Sequence, residues 1–368
     1  MSLRDKVAQS QNKQQPDLFA TYGVLNNPFP ASSQTSHNPR RKQSVDEKAE
    51  ARIISFLRDQ KSQVVVVEGT QGVGKTNFLN HFEAEIEDAL SELNGYYVVR
   101  YLADPEASFD GTIRRLFQEL GEDHIEKLAE KLEDDETPIS SARSQDMRSA
   151  LQSLANAGPV SELVRLFADW LYGGRILKAH KERLNIHFRL DTVESKTAAL
   201  RDLVVVSSEA GILNGIFLLL DELEKQDGIL SPTAVVRYLS AMRAIIDALP
   251  HHLFMMIAVT PDALRRYSNA LPAFRSRLQN QITLNPLLSL RDGQVLANFY
   301  LDFAKKEAAK KFPKKEPGRK SLITPSQVED IFEELKIITE RRGDRGVPQR
   351  VFLHRLHAAC EEVIQDLN

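Results

Sequence analysis

The sequence predicts an α/β protein in which a parallel sheet is flanked by helices. Three short apolar runs carry this prediction, at residues 64–67, 216–220 and 253–259. Runs of this length and composition are typical of strands that are buried on both faces of a parallel sheet. Each run is followed by a stretch with helical periodicity, and strands that alternate with helices indicate this fold class.

Length and composition indicate a soluble globular protein. The 368 residues suggest about two domains, and the longest apolar runs fall far short of the ~18 residues that a membrane span needs. The first residues carry no apolar core of the signal-peptide type, so we expect a cytoplasmic protein. The single cysteine, Cys360, excludes a disulfide framework, and the net charge of −3 gives no general attraction to nucleic acid.

The elements are predicted in chain order. Residues 1–44 are rich in Gln, Ser, Asn and Pro and predict a flexible arm, although residues 22–30 could form a turn that packs one Phe onto the domain. The elements that follow are a helix at 45–58, a strand at 63–68, a helix at 75–90, a strand at 96–101, a helix at 196–209, a strand at 216–220, a helix at 233–249 and strands at 253–259 and 281–284. Residues 105–195 and the region from about 290 onward read as mainly helical.

A phosphate-binding loop follows the first strand. The sequence GTQGVGKT fits the pattern G-x-x-x-x-G-K-[ST] at every position. Its members are Gly69, Thr70, Gln71, Gly72, Val73, Gly74, Lys75 and Thr76. The glycines let successive backbone N–H groups converge on phosphates, and the next helix presents its positive end. We expect Lys75 to reach the β- and γ-phosphates of ATP and Thr76 to ligate Mg²⁺.

Two acids end the leucine-rich strand. Asp221 and Glu222 directly follow residues 216–220, and ligand sites of open α/β sheets lie at the carboxyl ends of the strands. Asp221 is suited to hold Mg²⁺ through water, and Glu222 to act as a general base. An acidic helix start is the alternative reading of the pair. With the phosphate loop present, we predict a triphosphatase site, with the strands at 63–68 and 216–220 side by side.

These motifs resemble those of the AAA+ ATPases, over about residues 20 to 365. The resemblance implies a P-loop ATPase base domain at 45–289, interrupted by a helical insertion at about 105–195, and a C-terminal helical lid at 290–368. The insertion is needed because the stretch between the phosphate-binding loop and Asp221 is much longer than a helix, a strand and a crossover helix require, which is only about 50 to 70 residues.

The resemblance further implies that Thr260 is the polar residue, called sensor 1, that contacts the γ-phosphate or attacking water. Thr260 is also suited to cap a helix.

The resemblance also implies roles for three arginines. Arg277, or else Arg275, stands where initiator-type AAA+ proteins place an arginine finger that reaches a neighbouring subunit. Either arginine could instead be solvated or pair with a helix dipole. Arg350 lies in a segment similar to the sensor 2 helix of the lid, whose arginine contacts the bound phosphates. Its competitors for that role are Arg342, Arg345 and Arg355.

Shorter segments resemble particular groups of ATPases within the AAA+ superfamily, and these matches are looser than those of the motifs above. Asn27-Pro28-Phe29-Pro30 is similar to a segment of bacterial transposition-regulator and secretion ATPases. Residues 209–224 and the Pro-x-Arg-x-Phe-Leu segment at 348–353 resemble initiator-like ATPases, including those of BREX phage-defence systems.

Two classes of function remain open on the sequence. The first is an oligomeric ATPase that acts on DNA or a DNA-bound complex, for which the segment from Lys305 to Lys320 supplies eight basic and two acidic residues. Arg40, Arg41 and Lys42 form a weaker basic candidate, and a lysine-rich loop can also be merely solvated. The second is a STAND-like switch whose partners are proteins. A GTPase is disfavoured because no Asn/Thr-Lys-x-Asp motif follows Thr76.

Overall fold

A computed structural model describes residues 18–31, 38–40, 44–102, 109–224, 231–278, 280–311 and 321–366. Its centre is a parallel sheet of five strands, with helices packed against it. The strands are β1 (Gln63–Glu68), β2 (Tyr96–Leu102), β3 (Gly215–Asp221), β4 (Leu253–Val259) and β5 (Asn280–Thr283). The predicted α/β fold class is therefore confirmed.

The strand order is β2-β3-β4-β1-β5, and it corrects one prediction. We expected β1 and β3 to be neighbours, which is wrong, because β4 lies between them and pairs with both. All seven residues of β4 are buried, as is typical of a central strand that is covered on both faces. The carboxyl ends of β1, β3 and β4 still meet at one edge of the sheet, because the three strands are parallel.

Helices account for most of the remaining described residues. In chain order they are α1 (Ser44–Asp59), α2 (Lys75–Leu90), α3 (Phe109–Asp134), α4 (Gln145–Ala157), α5 (Ser161–Leu171), α6 (Lys178–Leu184), α7 (Val193–Glu209), α8 (Pro232–Ala248), α9 (Pro261–Ala270), α10 (Pro272–Arg275), α11 (Leu290–Lys311), α12 (Pro325–Arg341) and α13 (Gln349–Gln365). The helical insertion predicted between β2 and β3 thus comprises α3 to α6 and leads into α7.

The chain forms two compact units. The sheet unit consists of Lys42–Gly69 and Phe78–Leu284, and the helical unit of the described residues of Met1–Arg41 with Thr70–Asn77 and Asn285–Asn368. The predicted domains are continuous segments of the chain with boundaries at 44 and 289. The two units instead combine separate segments, and residues 70–77 of the phosphate-binding loop and the start of α2 belong to the helical unit. The boundaries stay a prediction.

The insertion and the sheet share one hydrophobic core within the sheet unit. A buried polar chain fastens them together: the Tyr97 hydroxyl of β2 lies 2.7 Å from His124 Nδ1 of α3, and His124 Nε2 lies 2.8 Å from the Ser207 hydroxyl of α7. Burial, with a smaller contribution from Lys127, lowers the pKa of His124 to about 4. His124 is therefore neutral at neutral pH and acts as a structural hydrogen-bonding group.

The helical unit has its own core, formed by α11, α12, α13 and part of the predicted arm. Phe29 is buried there, as the turn interpretation of residues 22–30 predicted. The Asn27 side chain donates to the His357 carbonyl at 3.0 Å and to the Glu361 carboxylate at 2.7 Å, both on α13. Residues 1–17, 32–37 and 41–43 of the predicted arm lie outside the described residues.

No described helix combines the length and the apolar character that a membrane crossing requires.

Candidate nucleotide site

The phosphate-binding loop begins where β1 ends. The Gly69 amide donates to the Val259 carbonyl at 3.2 Å, which places the start of the loop at the carboxyl ends of β1 and β4. Gly72 and Gly74 have φ angles of +82° and +92°, in the left-handed region that favours glycine. These two conformations explain why the loop carries glycine at both positions.

The Lys75 side chain is buried beside its own loop. Its Nζ atom lies 3.4 Å from the Thr70 carbonyl oxygen. Two residues on, Asn77 accepts a hydrogen bond at 3.0 Å from Arg40, and both side chains are buried. Arg40 Nη1 would also lie 3.9 Å from a Cβ atom placed on Gly74. Arg40 is therefore a buried neighbour of the phosphate loop rather than a solvent-exposed DNA contact, whereas Arg41 and Lys42 lie outside the described residues.

The N-terminus of α13 lies against the phosphate loop within the helical unit. The Arg350 amide donates to the Gly72 carbonyl at 3.0 Å, and the Gln349 side-chain oxygen would lie 3.0 Å from a Cβ atom on Gly74. The Arg350 guanidinium is exposed and makes no ion pair with any described residue, whereas its competitor Arg355 pairs with Glu334 at 3.0 Å. Of these two arginines, only Arg350 is anchored at the loop, and its sensor 2 role stays a prediction.

The tip of β3 presents the two predicted acids. Asp221 is 1% exposed, and its two oxygens accept from the Glu222 amide at 2.9 Å and from Arg100 Nη2 at 2.8 Å. Arg100, on β2, also donates to Asn80 Oδ1 at 3.2 Å. A partly buried arginine thus balances the charge of the buried Asp221 carboxylate.

Glu222 has an unusual backbone conformation. Its φ angle is +55°, and a side chain with a Cβ atom is strained in this left-handed region. Strain of this kind is concentrated at functional sites, where the surrounding structure holds the residue in place. The left-handed turn directs the chain away from β3 directly after Asp221.

Thr260 directly follows β4, the strand between β1 and β3. Its side-chain oxygen accepts from the Ala263 amide at 3.4 Å and so caps α9. A capping hydroxyl uses its oxygen as the acceptor, and its hydrogen remains able to donate to another group. The two roles predicted for Thr260 are therefore compatible, and its sensor 1 role stays a prediction.

The two candidate finger arginines differ in their partners. Arg277 Nε donates to Asp247 at 2.6 Å, and Arg277 is partly buried. Arg275 is exposed, makes no ion pair with a described residue, and lines a cavity of about 300 Å³. The sequence favoured Arg277 over Arg275, and the assignment of the arginine finger stays a prediction.

Thr76 and Asp221, the two predicted metal ligands, offer oxygen donors. The Thr76 hydroxyl makes no hydrogen bond within the described residues. Each Asp221 oxygen accepts one hydrogen bond from the described residues, which leaves lone pairs for a bound water. Hydroxyl, carboxylate and water oxygens are the donors that Mg²⁺ prefers. Both side chains therefore fit the predicted cation.

Sequence reasoning missed three residues of the site: Arg100, Arg40 and Asn77. A charged residue inside the otherwise apolar strand at 96–101 was the signal for Arg100, because arginine is rarely buried without a partner. For Arg40 and Asn77 the sequence carried no signal that distinguished a buried pair from two solvated side chains.

Comparisons with known proteins identify the family. The family model described as "BREX system ATP-binding protein BrxC/D" matches residues 103–300, more than half of the chain. The chain belongs to this family. The BREX-type resemblance predicted from the sequence is thereby confirmed, and so is its nucleotide-binding class. A search of curated protein sequences gave no match.

Among solved structures, the chain is similar to the Aeropyrum pernix ORC2 protein in ADPNP–ADP complexes, with 12% identity, a TM-score of 0.42, and coverage of 87% of this chain and 67% of that one. It is also similar to Cdc6p from Pyrobaculum aerophilum, with 14% identity, a TM-score of 0.40, and coverage of 88% and 68%. A Walker-type ATPase of Pyrococcus abyssi matches with 14% identity, a TM-score of 0.35, and coverage of 91% and 76%.

Proposed function

We propose that this BREX-family protein is a Mg²⁺-dependent ATPase whose nucleotide state switches or remodels an oligomeric assembly on DNA or on a DNA-bound complex. The observation that carries the proposal is the tip of β3. There a buried aspartate and a glutamate with a left-handed backbone end the strand, at the sheet edge where Gly69 begins the phosphate loop.

In this proposal the chain binds the triphosphate through backbone amides of the loop and the Lys75 ammonium group. Thr76 and Asp221 would hold the cation, which supplies neutralisation of phosphate charge when it is bound. Arg350 adds positive charge beside the loop, since its backbone is hydrogen-bonded to Gly72. Together these groups orient the γ-phosphate for in-line attack by water.

Glu222 acts as the general base of the proposed reaction. Its carboxylate takes a proton from the attacking water as the new P–O bond forms, the bond between the β- and γ-phosphates breaks, and ADP leaves with inorganic phosphate as the second product. Thr260 donates its hydroxyl hydrogen to the water or to a γ-phosphate oxygen. Glu222 is well suited to the role because its strained backbone fixes the origin of its side chain.

Two substitutions separate binding from hydrolysis. Glu222→Gln keeps the shape of the side chain but cannot accept the proton, so we expect ATP to bind while phosphate release falls by about 10²- to 10⁴-fold. Lys75→Ala removes the charge that contacts the phosphates, so ATP binding itself should be lost. Phosphate release by Glu222→Gln at the parent rate would exclude Glu222 as the base.

The oligomer and DNA parts of the proposal rest on exposed basic groups. Arg275 is unpaired among the described residues and is available to reach a neighbouring subunit. Lys305 to Lys311 form the end of α11, with exposed lysines at 305, 306, 310 and 311, whereas the rest of the segment to Lys320 lies outside the described residues. Phosphate contacts of this kind make binding steeply dependent on salt.

Mobility-shift and size measurements test these two parts. With ATP present, Glu222→Gln should assemble and shift duplex DNA at low salt, and replacing the four exposed lysines by glutamine should weaken the shift and its salt dependence. Arg275→Ala should reduce hydrolysis in the assembled form, with Arg265→Ala, an exposed neighbour on α9, as its control. No DNA shift at any salt concentration would eliminate the DNA part.

A STAND-like switch with a protein partner is the second candidate, and one observation favours it. The insertion and the segment leading into α7 expose large apolar side chains, and Phe188 is 75% exposed. Deleting the insertion would break the core that it shares with the sheet, so the test is Phe188→Ser. Loss of a co-purifying protein by this variant, with unchanged DNA binding, would favour the switch.

A further inference from the structure

The helical insertion contains a cavity of about 400 Å³ that includes none of the residues assigned to nucleotide binding. Its walls come from the first turns of α3 and α7, the turn that follows α5 and the segment before α7. Four basic residues, Arg114, Arg175, Arg189 and Lys196, line it. We call it the arginine cavity.

The turn that carries Arg175 has a defined backbone. Gly173 has a φ angle of +75°, and the Gly174 amide donates to the Asp169 carbonyl at 2.9 Å. A Cβ atom on Gly174 would lie 2.9 Å from the same carbonyl oxygen, which is too close for a larger residue. Arg175 therefore leaves the end of α5 from a fixed position rather than from a loose loop.

The segment that carries Arg189 is fastened by two buried or partly buried side chains. Trp170 donates its indole N–H to the Phe188 carbonyl at 3.2 Å. The Asp146 carboxylate accepts from the amides of His187 and Phe188, at 3.1 and 2.7 Å. These bonds hold the backbone next to Arg189 in place.

The charge of the arginine cavity is unbalanced. Lys196 is 8% exposed and pairs with Asp110 at 2.6 Å, and Asp191 is the other acid of the lining. Arg114, Arg175 and Arg189 are exposed and make no hydrogen bond or ion pair with a described residue. Four basic and two acidic residues leave net positive charge around one cavity, and guanidinium groups bind phosphate through paired N–H donors.

The remaining walls are apolar and aromatic. Ile113, Leu171 and Leu190 are buried, and the ring of Tyr172 is partly buried beside them. Small-molecule sites have volumes of about 300 to 1,000 Å³ and combine apolar walls with a few charged groups. An aromatic ring can stack on a nucleobase. From this combination we infer that the arginine cavity binds a phosphorylated ligand of nucleotide size.

Calorimetry on the full chain tests the inference. The chain carries Lys75→Ala, so that the phosphate loop is disabled, and the probes are ADP and inorganic pyrophosphate. We expect one ADP to bind per chain, pyrophosphate to compete with it, and Arg175→Ala or Arg189→Ala to weaken binding at least tenfold. Arg165→Ala is the matched control, since Arg165 is an exposed arginine of α5 that does not line the cavity.

Three results would overturn the inference: no heat with either probe at millimolar concentration, equal affinity in the Arg175→Ala and parent chains, or duplex DNA binding that depends on these arginines while ADP does not bind. Arg114→Ala supplies an independent variant, and all three arginines are exposed, so the melting temperature should not change. The inference does not rest on the proposed ATPase. Hydrolysis can fail while this site binds, and the reverse also holds.

Discussion

Replacing Arg100 by methionine should destabilise the sheet unit strongly. The Arg100 guanidinium donates to Asp221 at 2.8 Å and lies 3.9 Å from Glu83. Methionine keeps an unbranched chain of similar length but removes the charge. The Asp221 carboxylate would then be buried without its counter-ion.

The magnitude follows from burial. The side chains of Asp221 and Arg100 are 1% and 16% exposed, and removing one partner of a buried ion pair costs about 3 to 5 kcal/mol. Because Arg100 keeps some contact with solvent, we expect the free energy of unfolding to fall by about 3 kcal/mol. Arg115→Met is the control: Arg115 pairs with Glu119 at 2.9 Å, but these side chains are 47% and 33% exposed, so the loss should be at most about 0.5 kcal/mol.

Urea unfolding of Arg100→Met, Asp221→Asn and the double variant measures the coupling. The double variant should be about 2 kcal/mol more stable than the sum of the two single effects predicts, because each single change leaves one buried group without its partner. If the effects add to within about 0.5 kcal/mol, the pair contributes nothing beyond its separate residues, and the assignment of Arg100 as the counter-ion of Asp221 is wrong.

Three further predictions concern other residues. The difference in free energy of unfolding between the parent and His124→Gln should shrink by about 3 kcal/mol between pH 7 and pH 4. The reason is that His124 is protonated near pH 6.5 in the unfolded chain but has a pKa of about 4 in the folded chain. A difference between the two proteins, measured by urea unfolding, that does not change with pH would contradict this. Glu222→Gly should raise the free energy of unfolding by about 1 kcal/mol by relieving the left-handed backbone, and a loss of stability would refute the strain. Burial raises the pKa of Cys360 to about 12, so a thiol reagent should label the unfolded chain only, and rapid labelling of the native protein would count against this.

The sequence predicted the elements best where local signals were strong. The bounds of β1, α2 and β4 match the prediction to the residue. The two strands are apolar runs that end within two residues of a glycine or a proline. Strand order was not predictable in the same way. Nothing in the two apolar runs that became β1 and β3 shows that β4, which comes later in the chain, lies between them.

The candidate site divides along similar lines. The phosphate loop and the two acids follow from a spaced pattern that the chemistry of phosphate binding requires. The residues that support this site could not be predicted from a pattern, because the Arg100–Asp221 contact joins positions that are 121 residues apart. The left-handed backbone of Glu222 also escapes sequence reasoning, because glutamate rarely adopts it.

The insertion shows most clearly what the sequence could not predict. Its helical character was predicted, but the arginine cavity depends on side chains from four separate segments that meet only after packing. Arg114, Arg175 and Arg189 read along the chain as isolated surface charges. Their common location is a property of the tertiary structure alone.

The central proposal is that the chain is a Mg²⁺-dependent ATPase that binds ATP through Lys75 and hydrolyses it with Glu222 as the general base. Parallel measurement of ATP binding and phosphate release in the parent, Lys75→Ala and Glu222→Gln chains tests it most directly. The account predicts binding and turnover in the parent, neither in Lys75→Ala, and binding without turnover in Glu222→Gln. A parent chain that binds no ATP in the presence of Mg²⁺ would contradict it.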